Sequence, residues 1–138
     1  MFGTCHWWAI SPVHPWTHFI HRIQKRVGSF AHVPHITICT NSTVDFPVPT
    51  SPLNFECDAT VTQTNAITPE GTLWCLEIPI RHCEAHLTVA YRWQESFTSQ
   101  EVAIVEQMCV ALPCFSCTYF QHQVWECNRD PQTWTRIF

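Results

Sequence analysis

The sequence is poor in charge. Seven Lys and Arg stand against eleven Asp and Glu in 138 residues, so charged residues make up 13% of the chain, about half the usual share. So few cations, with a net charge of −4, do not suit a protein that coats long duplex nucleic acid, because that binding relies on many Lys and Arg contacts to phosphate. A short or single-nucleotide ligand remains compatible. Long apolar runs are missing too: no window approaches the length of a membrane span, so no membrane partner is expected. The first residues lack a basic stretch, and Ser11, Pro12, His14 and Pro15 interrupt the apolar run, which predicts no signal peptide. Nine Cys are present, but the number is odd and the spacing irregular, which argues against a disulfide scaffold. They are expected to be reduced, mostly buried small hydrophobes of a cytoplasmic protein. What the chain does have is core material. Apolar residues reach 46%, with seven Trp and nine Phe, which excludes disorder as the main state and fits one domain over residues 1–138.

The residue pattern predicts an α+β fold. Residues 6–10 read as a short strand stopped by Ser11 and Pro12. Trp16, Phe19, Ile20, Ile23 and Val27 recur at helical spacing, with Pro15 suited to the first helical position and Gly28 to the stop, so a helix is expected over 15–27. Residues 33–40 alternate as a strand, and 41–54, with three prolines among Asn, Ser and Thr, read as a loop. Strands are predicted over 55–64 and 73–80 around the turn chemistry of Thr68-Pro69-Glu70-Gly71, and again over 85–91. Thr98 and Glu101 form a capping-box pattern ahead of a helix that Pro113 would end. Residues 116–127 alternate as a final strand, and 134–138 could close a sheet edge. Each half thus carries a helix and a histidine-bearing strand, an arrangement consistent with internal duplication in lobes of about 1–50 and 51–138.

One pattern in these halves carries chemistry. His-apolar-Thr-apolar occurs at His35-Ile36-Thr37-Ile38 and again at His86-Leu87-Thr88-Val89. Composition alone supplies about 0.3 such tetrapeptides in a chain like this one, so two on predicted strands are unusual. Side chains two apart on a strand share a face, so each His projects with its Thr while the apolar pair enters the core. Two imidazoles and two hydroxyls converging in one cleft suit phosphodiester cleavage without a metal. One His takes the proton of the attacking oxygen, the other protonates the leaving oxygen, and the hydroxyls donate to phosphate oxygens as their charge grows. The spacing does not assign which His does which.

With these motifs the chain resembles the 2H phosphoesterase superfamily, named for two such motifs on paired strands of a two-lobed fold. The first strand, Trp8-Ala9-Ile10 followed by Pro12, and the helix after it fit the resemblance. The resemblance implies a duplicated α+β fold in which antiparallel sheets line a central cleft and a helix packs outside each lobe. It implies His35 and His86 as the catalytic pair, Thr37 and Thr88 as phosphate ligands, and no cofactor or metal. The short length and abundant Trp, Cys and His look most like the compact viral branch. That branch includes coronavirus and torovirus 2',5'-phosphodiesterases, which remove 2',5'-oligoadenylate and so prevent activation of host ribonuclease L. A monomer in the host cytoplasm acting on a short oligonucleotide is the corresponding expectation.

Other readings stay open at this stage. The same four residues would serve 2',3'-cyclic phosphates or cyclic dinucleotides, and the cleft could bind a nucleotide without turning it over. Arg92 has the parity of His86 and Thr88 and is a candidate phosphate contact. His14, His18 and His21 recur near helical spacing, and Cys114 and Cys117 form half of a zinc pattern that His122 and Cys127 do not complete, so no metal site is expected.

Overall fold

Alternate residues of the central strands turn apolar side chains toward two helices, which places both helices on one face of the sheet. In the computed structural model, which describes residues 4–29, 32–40, 53–55, 60–79, 86–110, 115–117, 120–127 and 130–138, the order is β1 (Thr4–Ile10), α1 (Pro15–Arg26), β2 (His35–Thr40), β3 (Leu53–Phe55), β4 (Thr62–Thr68), β5 (Gly71–Pro79), β6 (His86–Trp93), α2 (Ser99–Cys109), β7 (Phe115–Cys117), β8 (Phe120–Glu126) and β9 (Thr135–Arg136). Seven strands form one antiparallel sheet in the order β4-β5-β6-β2-β1-β8-β9, and β3 pairs with β7 separately. The α+β class is therefore as expected.

The covered face holds the main core. Ile10, Ile36, Leu76, Ile78, Leu87 and Val89 pack beneath Trp16, Ile20 and Ile23 of α1 and Val105 and Cys109 of α2. α1 begins where His14 Nδ1 accepts the Trp16 amide at 3.1 Å and Pro15 occupies the first turn, and it stops before Gly28, whose φ of +73° suits a residue without Cβ. α2 opens with the expected box: Thr98 Oγ1 accepts the Glu101 amide at 3.1 Å, and Glu101 Oε1 accepts the Thr98 amide at 2.9 Å.

Two strand expectations need correction. The strand predicted over 55–64 is β4, which runs from Thr62 into the turn at Thr68. The Val61 amide leaves the ladder to donate to Glu106 Oε1 on α2 at 3.2 Å, which delays the start. At the other end Thr68 Oγ1 accepts the Glu70 and Gly71 amides at 3.2 and 3.1 Å, bending the chain directly into β5. The single strand predicted over 116–127 is two, because β7 pairs with β3 while β8 pairs with β1 in the other sheet. The loop predicted at 41–54 falls outside the described residues except for its last two, which belong to β3.

The two motif strands lie side by side at the middle of the large sheet. β2 and β6 are antiparallel with Ile36 opposite Leu87. That register, continued by one residue, sets His35 beside Thr88 and Thr37 beside His86.

Candidate active site

The face of the sheet away from the two helices carries the histidines. Both sit where their own strands put them: Ile36 and Leu87 are buried in the helix-side core, so the adjacent His35 and His86 emerge on the other side. There His35, His86 and Thr88 line one cavity of about 230 Å³, together with Trp7, Glu77 and Tyr91. Three of the four expected residues therefore share a site. Thr37 is placed by its backbone opposite Trp7, and its side chain lies outside the described residues.

His35 is almost wholly buried, with 2% of its surface exposed. Its ring lies flat on the Trp7 indole, centroids 3.5 Å apart and planes 8° from parallel. Nδ1 donates to the Val33 carbonyl at 2.6 Å, which fixes the tautomer and leaves Nε2 as an acceptor, 3.4 Å from the Tyr91 hydroxyl. Burial pushes its pKa down to about 3, with repulsion from His32 and His86 adding to the effect and the Val33 hydrogen bond opposing it. His35 is thus a neutral imidazole at every physiological pH. Burial likewise holds the Tyr91 phenol well above its ordinary range, so it stays a neutral donor, with a Thr88 hydrogen bond pulling the other way.

His86 has a different setting. Its side chain is 44% exposed, and Nε2 lies 3.2 Å from Glu77 Oε1. Thr64 Oγ1 donates to the same carboxylate oxygen at 3.0 Å, so the ring is held through Nε2 and its Nδ1 is the other nitrogen to act. Behind Glu77, burial and the nearby carboxylate raise the Cys75 thiol to about 12, which keeps it protonated. Cys5, Cys75, Cys109 and Cys127 are buried thiols outside any disulfide, as the sequence led one to expect for these four. The first and last lie in hydrogen-bond contact on the cavity wall.

Arg92 does not reach this cavity. Leu76 pairs with Ala90 but Glu77 pairs with Thr88, so Val89 is an extra residue, a bulge that reverses the alternation of β6. Val89 and Ala90 both enter the helix-side core, Tyr91 takes the open-face position, and Arg92 turns toward α2. There its guanidinium donates to both Glu101 carboxylate oxygens at 2.8 and 2.6 Å and to the Val27 carbonyl at 2.8 Å, and it lies 4.3 Å from the Phe97 ring centroid. The Arg92 ion pair holds the Glu101 carboxyl down at about 2. Arg92→Leu is expected to lower stability by about 1–3 kcal/mol in urea unfolding, through loss of charged hydrogen bonds, while leaving substrate KM within twofold. A tenfold rise in KM at unchanged stability would put Arg92 back at the site.

Residues that sequence reasoning passed over complete the cavity. Trp7, Glu77 and Tyr91 each touch a catalytic candidate, and Trp134 from the C-terminal segment stands edge-on to Tyr91, centroids 5.2 Å apart. Glu77 could have been found from the alternation of β5, which gives it the parity of Cys75. Tyr91 could not, because its facing depends on the bulge.

Of the three histidines at α1, two serve structural ends and His18 is exposed. His14 caps the helix, and the His21 ring meets the His32 carbonyl at 3.2 Å. Among the described residues no cluster of three His, Cys, Asp or Glu could hold a metal ion, and Cys114 lies outside them. Comparison with protein-family models, with curated proteins and with solved structures found no match.

Proposed function

We propose that this chain is a 2H-type phosphodiesterase that cleaves 2',5'-oligoadenylate by histidine acid–base catalysis. The observation that carries the reading is the pairing of the two motif strands through Ile36 and Leu87, with His35, His86 and Thr88 lining one cavity. In this reading the sheet is two half-sheets, β2-β1-β8-β9 and β6-β5-β4, meeting at the motif strands, so that β8 and β9 join the first half and not the lobe expected over 51–138. Each half brings one helix, which is the two-lobed duplicated plan with its cleft over the seam.

The environments of the two rings suggest a division of labour. His35 enters neutral with its proton on Nδ1, so Nε2 is the base. It takes the proton of the 3'-hydroxyl, whose oxygen attacks the adjacent 2',5' phosphorus. The bond from phosphorus to the 5'-oxygen breaks, and that oxygen receives a proton from Nδ1 of protonated His86, whose Nε2 stays on Glu77. The products are a 2',3'-cyclic phosphate and a free 5'-hydroxyl; water in place of the 3'-hydroxyl would give a linear phosphate. Thr88 donates to a nonbridging oxygen, the role that the resemblance implies for Thr37 as well. The phosphate's negative charge offsets part of the burial cost of imidazolium at His35, which makes the base stronger once substrate is bound. Removing 2',5'-oligoadenylate in a host cytoplasm would keep ribonuclease L inactive, the role proposed for a viral member. The protein then needs neither cofactor nor membrane and works as a monomer.

The test is incubation with 2',5'-linked and 3',5'-linked triadenylate in EDTA, with products separated by chromatography. Cleavage of the 2',5' isomer alone, unchanged by chelator, is expected. Inertness toward both isomers, with turnover of a 2',3'-cyclic phosphate or a cyclic dinucleotide, would move the substrate assignment. Inertness toward all of these would leave a binding module.

A further inference from the structure

A second and larger cavity, of about 540 Å³, adjoins the first, and the two share Trp7 and Trp134 as wall residues. Its size falls within the range of sites that enclose small molecules. Trp125 forms another wall, stacked on Trp7 with centroids 4.9 Å apart and planes 21° from parallel. His35, Trp7 and Trp125 are therefore successive rings of one column that reaches from the catalytic candidate to the larger cavity. Trp125 is fixed in turn by Nε1, which donates to Gln123 Oε1 at 2.9 Å. An aromatic wall held this way loses little conformational freedom when a ligand ring stacks on it.

The chemistry of the lining narrows the occupant. Among the described residues no Lys, Arg, Asp or Glu lines this cavity, so its described lining suits a neutral group. Polar atoms enter only at a few places. The His21 ring meets the His32 carbonyl and Gln24 meets the His32 ring, whereas Gln132 is exposed at the cavity and its side-chain amide makes no hydrogen bond among the described residues. A Gln amide offers one donor edge and one acceptor edge, the pair that matches the N6 and N7 positions of adenine.

We infer that the cavity walled by Trp7, Trp125 and Trp134 is a purine-binding subsite, with Gln132 reading the edge of the base. The link from this base to a phosphate at His35 and His86 rests on the phosphodiesterase reading; the base site itself does not. A nucleotide seated there spans from the indole walls toward the shared Trp7, placing its phosphate on the histidine side of the column.

Calorimetric titration with adenosine 5'-monophosphate, uridine 5'-monophosphate and ribose 5-phosphate tests this without turnover. The adenine nucleotide is expected to bind at least tenfold tighter than ribose 5-phosphate and more tightly than the uridine nucleotide. Trp125→Leu should weaken it about tenfold, in line with the loss of one stacked base, and Trp125→Phe should recover most of that loss. Gln132→Ala, at an exposed position, should cut the preference for adenine over uracil at least threefold with the fold unchanged. Equal binding of all three probes would overturn the inference, as would Trp125→Leu and Gln132→Ala both behaving as wild type. A protein that binds the adenine nucleotide in this pattern but leaves 2',5'-triadenylate, 2',3'-cyclic phosphates and cyclic dinucleotides intact would keep the subsite and sink the phosphodiesterase reading. Cleavage with no adenine preference would do the reverse.

Discussion

His86→Ala is expected to lower turnover of 2',5'-linked triadenylate by about 10²–10⁴-fold, the usual contribution of one general acid or base, with substrate affinity changed less than threefold. The side chain is nearly half exposed, so its removal opens no core cavity and the variant should unfold at the wild-type urea midpoint. His35→Ala should lose as much activity, and the double variant little more, because acid and base act in one step and their losses do not add. Single-turnover kinetics with equilibrium binding separates these effects. Two single variants that each retain more than a tenth of wild-type activity would show that the imidazoles are not the proton carriers.

Acid should weaken the fold earlier than carboxylate titration alone allows. In the folded chain His35 resists protonation down to about pH 3, whereas in the unfolded chain it protonates near 6.5. The unfolded state therefore binds more protons across this window. The stability supplied by neutral burial is full above about pH 6.5 and is lost as pH falls from there toward 3, at about 1.4 kcal/mol per pH unit. Between pH 7 and pH 5 the loss comes to about 2 kcal/mol. Glu101 contributes only below its ordinary carboxylate range, since its folded value is about 2, so the upper part of the window reports buried histidine: His35 first, with His14, whose pKa burial also lowers, adding in the same direction. Urea midpoints at pH 7, 6 and 5 should fall steadily in the wild type. His35→Phe, which keeps a ring on Trp7, should remove more than half of that slope. Parallel slopes in the two proteins would mean that His35 is accessible to protons in the folded state.

Much of the site was legible in the sequence because it depends on local alternation. Ile36 and Leu87 need burial, so their neighbours His35 and His86 had to emerge on the opposite face wherever those strands lay. Capping chemistry was equally local, and Thr98 with Glu101 started α2 where their spacing said it would. The features missed depend on residues far apart in the chain. One extra residue at Val89 sends Arg92 to Glu101 and brings Tyr91 to His35, and nothing in the alternation of residues 85–91 announces it.

The sequence by itself determined the α+β class, the helix ends and the faces on which the motif residues sit, because period, caps and turn residues act within a few positions. Only the tertiary structure decided that β2 and β6 are neighbours, that Glu77 holds one imidazole, and that Trp7 and Tyr91 bury the other. Strand order and register follow from the packing of the whole chain. So does the state of His35, whose neutrality comes from water excluded by residues on β1 and β6, and no pattern along β2 encodes that exclusion.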